Sequence, residues 1–199
     1  MSLEVKCFPY GLYQENTYVI IDEASAAKAV IDPGYLSVDV RMAIESAPFL
    51  KYILLTHGHH DHYLEAEQYV KDFTHAEFAV PEKDREILYE RQKTYPIPEA
   101  DMYLKEGDII TLGSTEIRVI ETPGHTGGGI CFVTDNEVFT GDTLFRYSVG
   151  RTDLPTGNWE ELQKSIRAKL YTLDESLIVY PGHGEPTTIG DEKRSNPFV

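Results

Sequence analysis

Histidine and aspartate are concentrated in one short segment, residues 56–62, which reads THGHHDH. Within it, His57, His59, Asp61 and His62 fit the pattern HxHxDH. Alternate side chains of an extended segment point to the same side, so His57 and His59 can reach one metal ion. Asp61 and His62 can reach a second point where the chain turns into the next helix. Histidines that cap helices or satisfy core polar groups explain so dense a cluster poorly. Because imidazole and carboxylate are ligands for zinc, iron and manganese, the segment predicts metal binding.

Three more residues of ligand type each follow a predicted strand. They are His125 in TPGHTGGG, Asp142 in TGDT and His183 in YPGHGEP. Taken singly, each is typical of an ordinary loop or turn. Loops at strand ends are where a rigid scaffold displays chemistry. Together, and in this order, the three predict further contributions to the same site.

The elements that must position these residues are mostly strands followed by helices in each half of the chain. Apolar, β-branched runs predict strands at 16–21, 28–31, 51–55, 77–80, 108–112, 116–121, 130–134, 138–140 and 176–180. Helices are predicted at 38–46, 64–71, 82–91 and 159–170, the last with Leu162, Ile166 and Leu170 on one stripe. Two sheets packed face to face, with helices outside, would bury these faces in an α+β fold.

Composition narrows the class of protein. A chain of 199 residues is expected to form one domain, over residues 1–199. No apolar run reaches the roughly 18 residues of a membrane span, and the N-terminus MSLEVKCFPYG has no apolar signal region. We therefore expect a cytoplasmic protein without a membrane partner. The net charge of −15 disfavours nucleic acid as a partner. Cys7 and Cys131 are expected to be buried thiols rather than a disulfide.

The motifs in sequence resemble the metallo-β-lactamase superfamily: HxHxDH, then PGHT, TGDTLF and PGHG. The resemblance implies a four-layer αββα sandwich with the site at the sandwich edge. TGDTLF at 140–145 and GRTD at 150–153 are closer to the short glyoxalase II-like hydrolases, and the similarity runs over nearly the whole chain. It implies a first metal held by His57, His59 and His125. It implies a second metal held by Asp61, His62 and His183, with Asp142 bridging the two.

The chemistry implied by this resemblance is hydrolysis of a small-molecule thioester. Two divalent ions, expected to be zinc with iron or manganese also compatible, would turn a shared water into a nucleophile. The expected substrate is a glutathione thioester such as S-lactoylglutathione, with another ester or lactone as an alternative. Asp61 is the candidate for assisting proton transfer. Asp32, in IDPG, either orients a ligand histidine from behind or forms a turn before proline.

Residues that would recognise the substrate are expected in the segment after Asp142. Arg151 takes the position of a family lysine, where its guanidinium could pair with a substrate carboxylate or, alternatively, with Asp153 to brace the loop. Arg146 and Tyr147 lie in the same segment and could line the pocket. His60 and His75 match no family ligand, and we expect each to lie at the surface or behind a ligand.

Two other interpretations stay open at this point. Persulfide dioxygenases share the GRTD block and use one iron, held by residues matching His57, His125 and Asp142. A non-catalytic domain that has kept the fold is the other, although all seven ligand positions are intact. Metal content distinguishes the thioester hydrolase from the persulfide dioxygenase, since the hydrolase requires two ions per chain and the dioxygenase a single iron.

Overall fold

The computed structural model describes residues 3–45, 50–90 and 94–199. Two six-stranded sheets form its centre. The first contains, in spatial order, β1 (Leu3–Tyr10), β2 (Glu15–Asp22), β3 (Lys28–Ile31), β4 (Leu50–Leu54), β5 (Glu77–Pro81) and β6 (Met102–Leu104). The first three strands pair antiparallel, and β3 to β6 pair in parallel.

The second sheet has a mixed topology. Its spatial order is β14 (Thr187–Thr188), β13 (Ile178–Pro181), β10 (Glu137–Gly141), β9 (Ile130–Val133), β8 (Thr115–Glu121) and β7 (Ile109–Leu112). Strands β10 and β13 are parallel, whereas β9 is antiparallel to both β8 and β10. Consequently β8, β10 and β13 run in the same direction, and their carboxyl ends meet at one edge. A small hairpin, β11 (Leu144–Phe145) and β12 (Ser148–Val149), follows β10.

Helices cover the outer face of each sheet. The structure places α1 at Val38–Glu45, α2 at Ala66–Asp72, α3 at Arg85–Glu90, α4 at Trp159–Ala168 and α5 at Ile189–Ser195. The predicted helix ends at residues 46 and 91 lie outside the described residues. The 159–170 helix stops at Ala168, and a separate 3-10 turn covers Leu170–Thr172. Asn158 caps α4, because its side chain accepts a hydrogen bond from the Glu161 backbone.

The alternation of side chains along β2 shows how the layers are held together. Tyr18 and Ile20 point into the core between the sheets, where they meet Val119 and Phe132 of the second sheet. Their neighbours Val19 and Ile21 point the other way, into the core beneath α1 and α2. A third core lies under α4 and includes the predicted stripe of Leu162, Ile166 and Leu170.

The layers are therefore helix, sheet, sheet and helix, which confirms the αββα sandwich. One smaller expectation is wrong: Cys131 is buried, but Cys7 is exposed on the edge strand β1. Among the residues that the structure describes, no helix has the length and apolar character needed to cross a bilayer.

Candidate active site

The seven predicted ligand residues meet at one edge of the sandwich. Residues 57–62 follow β4 of the first sheet, and three of them, His60–His62, form a 3-10 turn. His125, Asp142 and His183 follow β8, β10 and β13 of the second sheet, whose carboxyl ends lie at the same edge. The strand directions thus bring together residues that are far apart in the sequence.

The first cluster consists of His57, His59 and His125. One ring nitrogen from each lies within 4.8 Å of the others, and all three side chains are buried. His59 Nδ1 is 2.8 Å from His125 Nε2. His57 Nε2 is buried and has no hydrogen-bond partner within the described part of the chain.

Acceptors behind the rings fix which nitrogens of this cluster carry a proton. His125 Nδ1 is 2.7 Å from the carbonyl of Arg151, which can only accept, so Nε2 keeps its lone pair. His57 Nδ1 is 3.0 Å from Thr56 Oγ1, and that hydroxyl donates its own proton to Asp32 at 2.8 Å. The hydroxyl must therefore accept from His57, which leaves His57 Nε2 free to bind a cation.

The second cluster consists of Asp61, His62 and His183, whose ligand atoms also lie within 4.8 Å of one another. His62 Nδ1 donates to Asp32 Oδ2 at 2.9 Å, and His183 Nδ1 donates to the Tyr13 carbonyl at 2.9 Å. Their Nε2 atoms face each other at 3.3 Å, a distance that leaves room for one proton between them. Two acceptors at this distance are stable only with a proton or a metal ion to share.

Asp142 connects the two clusters. Its Oδ1 is 3.4 Å from His62 Nε2 and 3.5 Å from His183 Nε2, while its Oδ2 is 3.3 Å from His125 Nε2. Oδ1 is buried and makes no hydrogen bond to the described residues. One carboxylate therefore offers an oxygen to each cluster.

The electrostatics of the two clusters differ. Burial lowers the pKa of His57 well below its usual value and lowers that of His59 to about 4, so both imidazoles are neutral near pH 7. Burial also opposes charge on His62, but the carboxylates of Asp142 and Asp32 raise the pKa of His62 well above its usual value. Burial acts against the charged form of Asp142 as well, and the neighbouring His62 more than offsets it, so the Asp142 pKa is lowered. The neutral imidazoles of His57 and His59, near the ionised carboxylate of Asp142, fit a divalent metal ion at the first cluster.

Asp32 lies behind both clusters. It is buried, and its Oδ1 accepts from the Thr56 backbone at 2.8 Å while its Oδ2 accepts from Thr56 Oγ1 and His62. It holds His62 directly and His57 through Thr56. Its φ of 53° is in the left-handed region, as expected for an Asp in a turn. Asp32 thus lies in a turn and contacts His62 from behind, and its role in orienting a metal ligand stays a prediction.

A cavity of about 510 Å³ opens beside the two clusters. Phe145, Val149 and Leu154 form apolar parts of its wall, and Tyr13 and His60 also line it. The His60 ring stacks on Tyr95 with the ring centres 4.2 Å apart. His75, in contrast, is exposed on the loop before β5.

The three predicted substrate contacts have different surroundings. Arg151 lines the cavity, and its guanidinium makes two 2.7 Å hydrogen bonds to Asp153, which is the predicted brace. Arg146 pairs with Glu185 and lies over the ring of Tyr147. Tyr147 has a φ of 54° and donates its backbone N–H to Glu192. Within the described residues, neither Arg146 nor Tyr147 lines this cavity, and a role for them in substrate binding stays a prediction.

Sequence reasoning missed four groups that hold the site. They are the Thr56 hydroxyl, the carbonyls of Tyr13 and Arg151, and the carboxylate of Asp84, which contacts the loops on both sides of the first cluster. A backbone carbonyl carries no sequence signal, and Asp84 belongs to no motif. Only the position of Thr56 beside the HxHxDH segment could have indicated one of them.

Comparison with known proteins decides the family. The model of the metallo-beta-lactamase superfamily matches residues 10–183. The chain belongs to the metallo-beta-lactamase superfamily. It is 39% identical to hydroxyacylglutathione hydrolase GloC of Haemophilus influenzae, over 99% of this chain and 98% of that protein. Membership in this superfamily, together with the two clusters, supports a metal-dependent hydrolase.

Two solved structures are similar to this chain over nearly its whole length. The BLEG-1 B3 metallo-beta-lactamase superposes with a TM-score of 0.87 and 32% identity, covering 98% of this chain and 99% of that one. ETHE1 from Myxococcus xanthus superposes with a TM-score of 0.83 and 30% identity, covering 98% of this chain and 83% of that one. The superfamily fold therefore extends over essentially all of this chain.

Proposed function

We propose that this chain is a binuclear metallohydrolase that cleaves glutathione thioesters such as S-lactoylglutathione. The observation that carries the proposal is the position of Asp142, whose two oxygens face different clusters at 3.3–3.5 Å. A single carboxylate placed in this way is suited to bridging two cations. The similarity to a hydroxyacylglutathione hydrolase supports the choice of thioester.

The proposed ligand sets follow from the ring nitrogens that face each cluster. Nε2 of His57, Nδ1 of His59 and Nε2 of His125 would hold the first ion. Asp61 and the Nε2 atoms of His62 and His183 would hold the second. Asp142 would bridge. The nitrogen and oxygen donors suit zinc, and iron or manganese are compatible with them.

When bound, two such ions lower the pKa of water toward neutrality and polarise a carbonyl oxygen. The remaining chemistry is carried by the chain itself. Asp61 lines the cavity, its side chain is 31% exposed, and its Oδ2 lies 3.6 Å from His183 Nε2. It can therefore pass a proton between the site and solvent. Asp32, Thr56 and the carbonyls of Tyr13 and Arg151 keep the histidines in the tautomers described above.

The cavity fits a small substrate. Its volume of about 510 Å³ lies within the range of sites for small molecules. In the proposed complex, the apolar wall of Phe145, Val149 and Leu154 contacts the acyl group. Arg151, at the rim, binds a carboxylate of the glutathione part in place of Asp153. A net charge of −15 makes a phosphate backbone an unfavourable partner, which supports a small molecule as the substrate. A cytoplasmic location is part of the proposal.

The test is metal content by plasma mass spectrometry on protein purified without added metal, with S-lactoylglutathione hydrolysis measured on the same sample. Two metals per chain with turnover is the expected result. His57→Ala should lose metal and activity together, whereas His75→Ala, which removes an exposed histidine, should change neither. Metal-free wild-type protein that cannot be loaded would refute the proposal.

A second candidate is a mononuclear-iron persulfide dioxygenase. The GRTD block at 150–153 and the meeting of His57, His125 and Asp142 at one point favour it, and the likeness to ETHE1 leaves it open. One iron per chain, with oxygen uptake on glutathione persulfide and no thioester turnover, would select it. Because BLEG-1 is also similar, a β-lactam substrate belongs in the same assay.

A further inference from the structure

Asp84 is a buried carboxylate that does not line the cavity and that accepts hydrogen bonds from three donors. It follows β5 at the end of the 3-10 turn Glu82–Asp84, and 1% of its surface is exposed. Its Oδ2 accepts from the Gly58 backbone and from Thr126 Oγ1, each at 2.7 Å. Its Oδ1 accepts from the Gly128 backbone at 2.7 Å. Buried hydrogen bonds of this kind, to a charged acceptor, are short and strong.

The three donors belong to the two loops that carry the first cluster. Gly58 lies between His57 and His59, and Thr126 follows His125 directly. A backbone hydrogen bond from Ile130 N to Thr56 O, at 2.9 Å, joins the start of β9 to the residue before His57. The Asp84 carboxylate adds a second connection between the two loops. This carboxylate thus sits where the separation of His57 and His59 from His125 is determined.

Two glycines allow this close approach. A Cβ atom on Gly128 would collide with the backbone nitrogen of Asp84. A Cβ atom on Gly58 would come within 2.7 Å of Ile87, in the helix that follows Asp84. The two loops therefore pack directly on the Asp84 segment.

We propose that Asp84 is a positioning residue that sets the spacing of the two histidine loops, and with it the affinity and geometry of the first metal site. The inference rests on the proposed function, since it takes His57, His59 and His125 as ligands. Asp84 contacts none of the reacting atoms. Its effect passes through the Gly58 backbone on one side and through Thr126 and Gly128 on the other.

The variant Asp84→Asn tests this with almost no change of shape. Both carboxylate oxygens accept from a backbone N–H, so the amide must turn its NH₂ group toward either Gly58 or Gly128. In either orientation, one of these two backbone hydrogen bonds is lost. We expect the affinity for the first cobalt(II) equivalent, measured by competition with a chelator, to fall about 10–100-fold. The visible absorption bands of the cobalt(II)-loaded protein should also shift, because they report ligand geometry.

Asp22→Asn is a matched control for loss of stability. Asp22 is also fully buried and accepts hydrogen bonds from Ser25, Ser114 and Thr115. It lies at the far end of β2, about 23 Å along the strand from Glu15, which is beside His183. This variant should lower Tm but leave cobalt affinity and absorption as in the wild type.

The outcomes separate the inference from the proposed function. If Asp84→Asn binds cobalt as the wild type does, with an unchanged spectrum, Asp84 is only structural and the inference is wrong. If the wild type binds no metal, or if His57→Ala keeps full affinity, it is the proposed ligand set that fails. If Asp84→Asn does not fold, Thr126→Val replaces it, because it removes one donor to the same carboxylate. Its cobalt(II) affinity and visible absorption are measured in the same way, and unchanged values would again show that the inference is wrong.

Discussion

The Nδ1 atom of His62 lies 2.9 Å from Oδ2 of Asp32, and both side chains are buried. The same carboxylate receives both polar hydrogens of Thr56, which in turn fixes His57. One aspartate in the turn after β3 therefore orients a histidine in each cluster. Outer partners of this kind typically contribute 10–100-fold to metal affinity or activity.

Asp32→Asn should consequently lower kcat/KM for the thioester by about 10–100-fold and reduce the metal content per chain. Asparagine tolerates the left-handed φ of 53°, so backbone strain does not confuse the result. Its amide must present NH₂ to a donor, either the Thr56 N–H or His62 Nδ1. Asp39→Asn, at an exposed position of α1, is the control and should behave as the wild type. Full activity and metal content in Asp32→Asn would contradict the orienting role.

Removal of metal should destabilise the folded chain. Ligand atoms from both sheets converge on the clusters, and a ligand that binds only the folded state stabilises it by RT ln(1 + [L]/Kd). At a metal concentration of about 100 Kd this amounts to about 2.7 kcal/mol. At about 2–4 °C per kcal/mol for a chain of this length, a chelator should lower Tm by about 5–10 °C. Calorimetry with and without chelator measures the change in Tm. This change should be smaller in His183→Ala. If the wild type has the same Tm with and without chelator, it does not bind metal tightly.

Asp22 should contribute to stability in a pH-dependent manner. Burial opposes its ionisation, but hydrogen bonds from Ser25, Ser114 and Thr115 lower the Asp22 pKa below its usual value. A lowered pKa in the folded state gives stability that is present above the unfolded pKa, near 3.9, and is lost as pH falls toward the folded value. Asp22→Asn should thus cost about 2 kcal/mol at pH 7 and progressively less below about pH 4. Urea unfolding of both proteins across this pH range measures the difference in their free energies of unfolding. A difference that does not change with pH would show that the charge of Asp22 is irrelevant.

The pair of Arg151 and Asp153 should affect substrate binding more than stability. Both side chains are more than 60% exposed, so their ion pair contributes little to the folded state. Arg151→Ala should raise KM for an anionic thioester several-fold and leave Tm nearly unchanged. Asp153→Ala, which releases the guanidinium, should lower KM. A lower Tm with unchanged KM in Arg151→Ala would mean that the arginine only braces the loop.

Much of the fold and of the site can be predicted from the sequence because both leave local patterns. Apolar runs mark the buried strands β2, β4 and β9, and HxHxDH concentrates four of the seven ligand residues in one loop. The edge strand β1 leaves no such pattern, since its residues alternate irregularly between half-buried and exposed and include Pro9. Asp84 leaves none either, because its partners are 26, 42 and 44 residues away and become neighbours only when the sheets pack.

The order of the seven residues along the chain has a consequence for biosynthesis. Four lie between residues 57 and 62, and the others follow at 125, 142 and 183. On the proposed ligand assignment, a growing chain has the three histidines of the first set once His125 has left the ribosome, and the bridging carboxylate once Asp142 has. The second set has to wait for His183, which comes after β13 has added to β10. A nascent chain would therefore acquire its two metals one after the other, and a chain stalled before residue 183 would hold the first site alone.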